Sequence, residues 1–289
     1  MKFVFFGGEP LAVPVLNELK QSNLIPDLIV CNPDRPSGRG KKITQPPVKL
    51  WAENEGIEVF QPTNYQDEVA KTKLSSEKWD LFVVVAYKFI LPDWLLELPD
   101  KGALNMHPSL LPRLRGASPI RTAIIQNLPE EVGVTVILLD KEMDHGPILE
   151  QLPMEISAEN WPMTGPKLDK ALADLGGALL ADVIQAWMHD ELSPQEQEHE
   201  MATYCNKLDK ANSELSINPY KLPMGREATK VLHTIYAFAG VGDAFFIHND
   251  KRVKIKDARL TDGGSLQLLR VIPEGKKEID FKDYLSALG

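Results

Sequence analysis

Residues Asp80 to Ala86 read Asp-Leu-Phe-Val-Val-Val-Ala, an almost unbroken apolar run. A strand with one face in water alternates apolar and polar residues. A run without alternation marks a strand buried on both faces, as in a parallel sheet covered by helices on each side. The start of the chain agrees. Lys2 to Phe6 is apolar and rich in Phe and Val, Gly7-Gly8 ends it, and a helical pattern runs from Pro10 to Lys20. That is strand, glycine turn, helix, the opening of an α/β unit. Gly7-Gly8 lacks the full three-glycine dinucleotide fingerprint, so that reading is rejected.

More elements follow in the same style. Leu28 to Cys31 and Val59-Phe60 are short strands, Val48 to Glu55 a helix and Tyr65 to Leu74 a polar helix. Val132 to Leu139 and Ile148 to Ile156 are further strands, with a helix from Ser118 to Gln126, Ser118 its cap and Pro119 at the first position. Leu168, Leu172, Leu175, Leu179, Val183 and Trp187 recur at spacings of three and four, which makes Pro166 to Asp190 one long amphipathic helix. Gly176-Gly177 within it is a weak point or a close packing contact. The fold class these elements predict is α/β: a Rossmann-like, mostly parallel sheet flanked by helices.

Chemistry concentrates between Ala103 and Ile120: Ala-Leu-Asn-Met-His-Pro-Ser-Leu-Leu-Pro-Arg-Leu-Arg-Gly-Ala-Ser-Pro-Ile. Asn105 and His107 stand at alternate positions of a strand, so they share a face. Pro108 and Pro112 end the strand. An amide donor beside an imidazole suits acyl transfer, one stabilising an oxyanion and the other managing a proton. By itself an Asn-x-His pair is more often a strand-end turn anchor, with His107 as the hydrogen-bond partner of Asn105.

The longer pattern changes that balance. Asn105-x-His107-x-Ser109-Leu110-Leu111-Pro112 followed by Arg115-Gly116 resembles the signature of the 10-formyltetrahydrofolate-dependent formyltransferases. The Arg-Gly-Ala-Ser-Pro-Ile continuation is most similar to the methionyl-tRNA formyltransferase branch. The resemblance implies formyl transfer from 10-formyltetrahydrofolate to methionyl-initiator tRNA in the cytoplasm, without a metal. Asn105, His107 and Asp144 would then be catalytic, Asp144 through the family's Asp-x-Gly pattern with Gly146. The folate pocket would be shaped by Ser109, Leu110, Leu111 and Pro112, mostly through backbone groups, and by Tyr87 and Ile90 of the Tyr87 to Pro92 loop. His145 is read as incidental. The bare reading of the Asp140, Glu142 and Asp144 turn is solvation or an Asx-turn.

Asn32 to Pro47 is a polar loop whose four prolines and three glycine or serine residues exclude regular structure. Arg35, Arg39, Lys41 and Lys42 outweigh Asp34 there. A basic loop of this length inside a compact α/β domain is more often functional than a solvated surface, and it resembles the loop that the family wedges against the acceptor stem. Ser193 to Glu200 holds no apolar residue and reads as an interdomain linker. The alternating runs Ala244 to His248, Val253 to Lys256 and Ser265 to Ile272, with turns at Asn249-Asp250 and Asp262-Gly263-Gly264, predict a small barrel. The resemblance implies an OB-like one. The expected domains are 1–190 catalytic, 191–202 linker and 203–289 tRNA-binding.

Cys31 and Cys205 lie far apart without metal-ligand spacing, which fits a reducing compartment. The run from Leu81 to Leu98 is cut by Lys88, Pro92 and Asp93 and does not span a membrane. The net charge of −9 is uneven: residues 201–289 carry 14 Lys and Arg against 11 Asp and Glu, a net +3, which leaves −12 on residues 1–200. A polyanion must therefore meet local patches. The donor is better fixed than the acceptor: an amino sugar on a nucleotide is the main alternative, glycinamide ribonucleotide needs neither basic loop nor tail, and a non-catalytic RNA-binding protein would not need the trio.

Overall fold

A computed structural model of the chain describes residues 1–37 and 42–287. Contacts divide the chain into two units. The first comprises Met1–Arg115, Gly133–Met154 and Lys170–Tyr204, the second Gly116–Val132, Glu155–Asp169 and Cys205–Gly289. The division departs from a boundary near residue 190, because two segments of the first 190 residues group with the tail. Side chains tie them there: Arg121 forks onto the Asp169 carboxylate, Trp161 donates its indole N–H to Asn127, and His233 bonds the Ile124 carbonyl at 2.7 Å.

Seven strands build the first unit: β1 (Phe3–Gly7), β2 (Leu28–Val30), β3 (Glu58–Phe60), β4 (Leu81–Val85), β5 (Ala103–His107), β6 (Gly133–Leu138) and β7 (Ile148–Pro153). Their order across the sheet is β7-β6-β5-β4-β1-β2-β3. β1 to β5 run parallel, while β6 is antiparallel to β5 and to β7. The chain reverses its direction of travel between β1 and β4. Such a switch point opens a crevice at the carboxyl ends of the strands, where α/β sheets of this kind take their ligands.

β1 and β4 are buried at every position, as the unbroken apolar runs predict. On one face Val4, Phe6, Phe82, Val84 and Ala103 pack with Leu74 of helix Glu68–Ser75, Leu95 of helix Asp93–Leu96 and Trp79 from the segment between the first of these helices and β4. Met106, on the other face of β5, meets the long helix Gly165–Met188 at Gly176, where an added Cβ would run into its sulfur. Gly177 lies against Glu18 and Val15 of helix Ala12–Gln21. The glycine pair is thus a close packing contact. Gly165–Met188 is long and apolar enough to cross a membrane, but Leu172, Leu180, Val183 and Ile184 are buried in the core.

Three segments differ from the sequence expectation. The polar helix starts at Glu68, because the Asp67 carboxylate accepts the Ala70 N–H and Asn64 accepts those of Gln66 and Asp67. These side chains replace helical bonds, and Tyr65 turns into the core instead. The proline-rich loop is not irregular throughout: Arg35–Ser37 and Lys42–Thr44 form a two-stranded antiparallel ribbon with Pro36 opposite Ile43. Proline is tolerated in an edge strand whose N side needs no ladder bond. Finally, the stretch read as a linker is bonded to the first unit. Gln195 and Ile148 exchange both backbone bonds at 2.7 and 2.8 Å, and Gln197 is 4% exposed. Gln197 serves buried hydrogen bonds, while the other side chains of the stretch stay exposed.

In the second unit, helix Gly225–Phe238 accompanies an antiparallel sheet ordered Phe245–His248, Lys251–Leu260, Leu266–Pro273 and Ile279–Asp280. Asn249 and Asp250 both take positive φ, 49° and 58°, the conformation a two-residue hairpin turn demands. The second strand outruns its sequence signal because the pairing shifts between Ile255 and Ala258, a bulge that breaks the alternation at Lys256-Asp257. Ser118 does not cap its helix. Its hydroxyl accepts from the Leu208 N–H instead.

Candidate active site

β5 carries Asn105 and His107 to the carboxyl end of the sheet on the face of Ala103, with side chains 9% and 4% exposed overall. Across the strand pair Asn105 faces Ile137 and His107 faces Thr135. The His107 ring is held through Nε2. Nε2 stands 3.0 Å from the Leu114 carbonyl, which can only accept, so the proton there belongs to Nε2. Nδ1 faces Asp144 Oδ1 at 3.6 Å. The geometry therefore brings the three expected catalytic side chains into one cluster, but only the Nδ1 side of the imidazole is left to work with a substrate. Leu114 and Asp144 both adopt left-handed backbone, at φ 58° and 51°. For such residues that costs about 1–3 kcal/mol each, and strain of this kind gathers at working sites.

The 3.6 Å separation exceeds a hydrogen bond. A third polar atom placed at the apex can touch both the imidazole and the carboxylate.

Beyond β5, the turn Ser109 to Pro112 is held by side chains that the sequence did not single out. Thr135, wholly buried on β6, donates its hydroxyl to the Ser109 carbonyl and accepts the Leu111 N–H. Gln151 on β7 donates to Thr135 and to the Leu111 carbonyl. Ser109 spends its own hydroxyl on the Arg113 carbonyl at 2.7 Å. Leu111 is buried, while Leu110 and Pro112 are half-buried. No spacing rule points to Thr135 and Gln151; only the antiparallel pairing of β5, β6 and β7 brings them to the turn.

Tyr87 follows β4 and shares a 2.6 Å hydroxyl contact with Tyr65. Its ring meets the edges of Phe6 and Phe89. Burial pushes the pKa of both phenols upward, so each stays a neutral hydrogen-bonding group at physiological pH. Ile90 on the same loop is 74% exposed. An apolar side chain in water beside an aromatic cluster is a ready contact for a flat ring.

Of the basic residues, Arg35 and Lys42 stand exposed on the two-stranded ribbon. Arg39 and Lys41 lie outside the described residues. At the ribbon's base Lys49 bonds both Asp34 oxygens at 3.1 and 2.9 Å, and Gln61 donates to Asp34 and to the Asn32 carbonyl. The hydrogen bonds from Gln61 and then Lys49 hold the Asp34 carboxyl below its usual range. In the acidic turn, Asp140 accepts the Glu142 N–H, the Asx-turn expected of it. His145 Nδ1 pairs with Asp140 at 2.7 Å and its ring stacks on His199 at 4.0 Å.

Asn105 and His107 at the carboxyl end of β5, with Asp144 from the turn between β6 and β7, form an arrangement suited to group transfer. A family model described as formyl transferase matches residues 1–184, and the chain belongs to that family. A methionyl-tRNA formyltransferase of Legionella pneumophila (strain Paris) is 35% identical over 90% of this chain and 79% of its own length. That of Methylococcus capsulatus is 32% identical over 99% and 97%. These relatives place the chain with the methionyl-tRNA formyltransferases within the family. Among solved structures, an N-formyltransferase of Helicobacter canadensis, solved with folinic acid and dTDP-3-aminofucose, aligns at a TM-score of 0.62 and 21% identity over 91% of this chain and 88% of its own; it shares the fold.

Proposed function

We propose that the protein transfers the formyl group of 10-formyltetrahydrofolate to the α-amine of methionyl-initiator tRNA in the cytoplasm. The observation that carries the reading is the cluster of Asn105, His107 and Asp144 at the end of β5. The amine nitrogen attacks the formyl carbon, a tetrahedral oxyanion forms, and the bond to N10 of the folate breaks. Asn105 donates its amide N–H to the oxyanion; one such donor is typically worth ~2.7–4 kcal/mol. Asp144 takes the proton from the attacking amine, directly or through water. His107 Nδ1 exchanges that proton at the same apex and delivers it toward the leaving N10. The products are a formyl amide and an N–H on the folate, so atoms and protons balance.

The folate lies against Tyr87, Ile90 and the Ser109 to Pro112 turn. Arg35, Arg39, Lys41 and Lys42 meet tRNA phosphates, and the tail adds a second basic contact. We read the tail as an OB-like barrel, a reading supported by its four antiparallel strands and by the bridges from Glu214 to Phe245 and from Met224 to Ser265. An amino-sugar nucleotide is the alternative acceptor. The likeness to the Helicobacter canadensis structure, at 21% identity, supports the fold without favouring that acceptor, whereas relatives at 32–35% identity favour tRNA. Formyl transfer assayed in parallel on methionyl-tRNA and on an amino-sugar nucleotide decides the matter. Turnover with the sugar alone would reverse the reading.

A further inference from the structure

Arg115 is among the largest side chains fully hidden in the protein, 1% exposed, and the polar groups bonded to its guanidinium are neutral. Its Nε and Nη2 donate to Gln197 Oε1 at 3.2 and 2.7 Å, Nη2 also meets His199 Nδ1 at 2.8 Å, and Nη1 lies 3.4 Å from the Tyr204 hydroxyl. Gln197 faces the opposite way with its amide nitrogen, donating to the carbonyls of Asp144 and Gly146 at 2.9 and 2.7 Å. A glutamine has two N–H donors and two lone pairs, and here all four are used. The orientation is forced, because the guanidinium can only donate and the carbonyls can only accept.

We infer that Gln197 is a positioning residue for Asp144 and that Arg115 is the anchor that orients it. The inference rests on Asp144 acting in catalysis as proposed above. Asp144 sits at φ 51°, in the left-handed region, so the direction of its side chain depends on how this turn is held. Gln197 clamps the carbonyls at both ends of the Asp144-His145-Gly146 turn. The carboxylate's place, 3.6 Å from His107 Nδ1, follows from that backbone. A buried cation is an unusual anchor, since it must be hydrogen-bonded to be tolerated at all. Here its fixed fork of donors supplies direction rather than charge pairing.

Gln197→Glu keeps an acceptor for Arg115 and removes both N–H donors to the turn. Gln197→Met keeps length and bulk and removes all four bonds. Steady-state formyl transfer from 10-formyltetrahydrofolate to methionyl-tRNA should show kcat lower by roughly 10- to 100-fold in each, with both KM values within about twofold, because misplacement by about an ångström suffices for such losses. In an Asp144→Asn background, Gln197→Glu should add no further loss, since the carboxylate that it places is gone. A purely structural role would instead lower both backgrounds equally. That result, a change confined to KM, or wild-type kcat in Gln197→Glu overturns the inference. If Asp144→Asn keeps full activity, the role of Asp144 itself fails and the inference falls with it. An inactive Asp144→Asn beside a fully active Gln197→Glu sinks the positioning role alone. Should Gln197→Met fail to fold, Gln197→Glu carries the test, because its carboxylate still pairs with Arg115.

Discussion

Asn105, His107 and Asp144 are expected to act as one unit, so their losses should not multiply. Asn105→Ala, His107→Ala and Asp144→Ala should each lower kcat by ~100-fold or more, and the triple variant should lose far less than the product of the three. His107→Ala also deletes the buried bond to Leu114, which should cost about 1–3 kcal/mol of stability, so melting curves must accompany the kinetics. Near-native turnover in any single variant would remove that residue from the mechanism. Cys31 offers a second test at this scale. Burial pushes its thiol from 9.0 up to about 12, so the unfolded chain ionises there first. The stability that the neutral buried thiol contributes is fully present below pH ~9 and is lost as the pH rises toward ~12. Denaturant midpoints between pH ~8 and ~10.5 should fall less steeply in Cys31→Ala than in the parent, and native Cys31 should resist alkylation at pH ~7. Rapid native labelling of Cys31 would contradict this.

At the scale of elements, the sheet strands were legible because burial on two faces leaves an unbroken apolar run, and β5 matches its expected span from Ala103 to His107. What escaped the sequence was how the elements meet. Thr135, Gln197 and Arg115 are buried polar residues and Gln151 is a half-buried one, and nothing in their spacing tells a solvated side chain from one closing a hydrogen-bond network. The long helix shows the reverse case. Its glycine pair was legible as a packing feature, but the partner, Met106 on the back of β5, was not. Gly176→Ala should therefore destabilise: overpacking against Met106 costs about 1–3 kcal/mol, more than the ~0.5–1 kcal/mol gained in helix propensity. Because Met106 lies between Asn105 and His107, kcat should fall as well. A Gly176→Ala variant with a higher melting temperature would show that Met106 yields freely. The ribbon makes a separate prediction. Arg35→Ala with Lys42→Ala should raise KM for tRNA and flatten the salt dependence, leaving folate affinity unchanged. An unaltered salt slope would return these residues to plain surface.

For the whole molecule, the charge imbalance between the first 200 residues and the net +3 tail raises the question of what the tail is for. Cutting the chain near Asp190 cannot answer it, since that cut removes Gln195 from its pairing with Ile148 and Gln197 from the Asp144 turn. Activity would fall for reasons unrelated to tRNA. For the same reason, the Ser193 to Glu200 stretch should resist protease in the native protein. Surface charge is the cleaner variable. Several tail cations are already engaged: Lys254 and Lys256 pair with Asp243, and Arg270 pairs with Glu278 and Asp280. Lys221, Arg226 and Lys230 are exposed in and just before helix Gly225–Phe238. If they meet phosphates, changing all three to Gln should raise KM for methionyl-tRNA. The slope of log affinity against log salt should fall by about 0.9 for each phosphate that is no longer neutralised. Folate affinity and melting temperature should not move, because no residue assigned to the folate or to the catalytic cluster lies in the tail. Equal loss on an amino-sugar nucleotide, or an unchanged salt slope with tRNA, would mean that the tail touches no phosphate and that its basic surface serves something other than the acceptor.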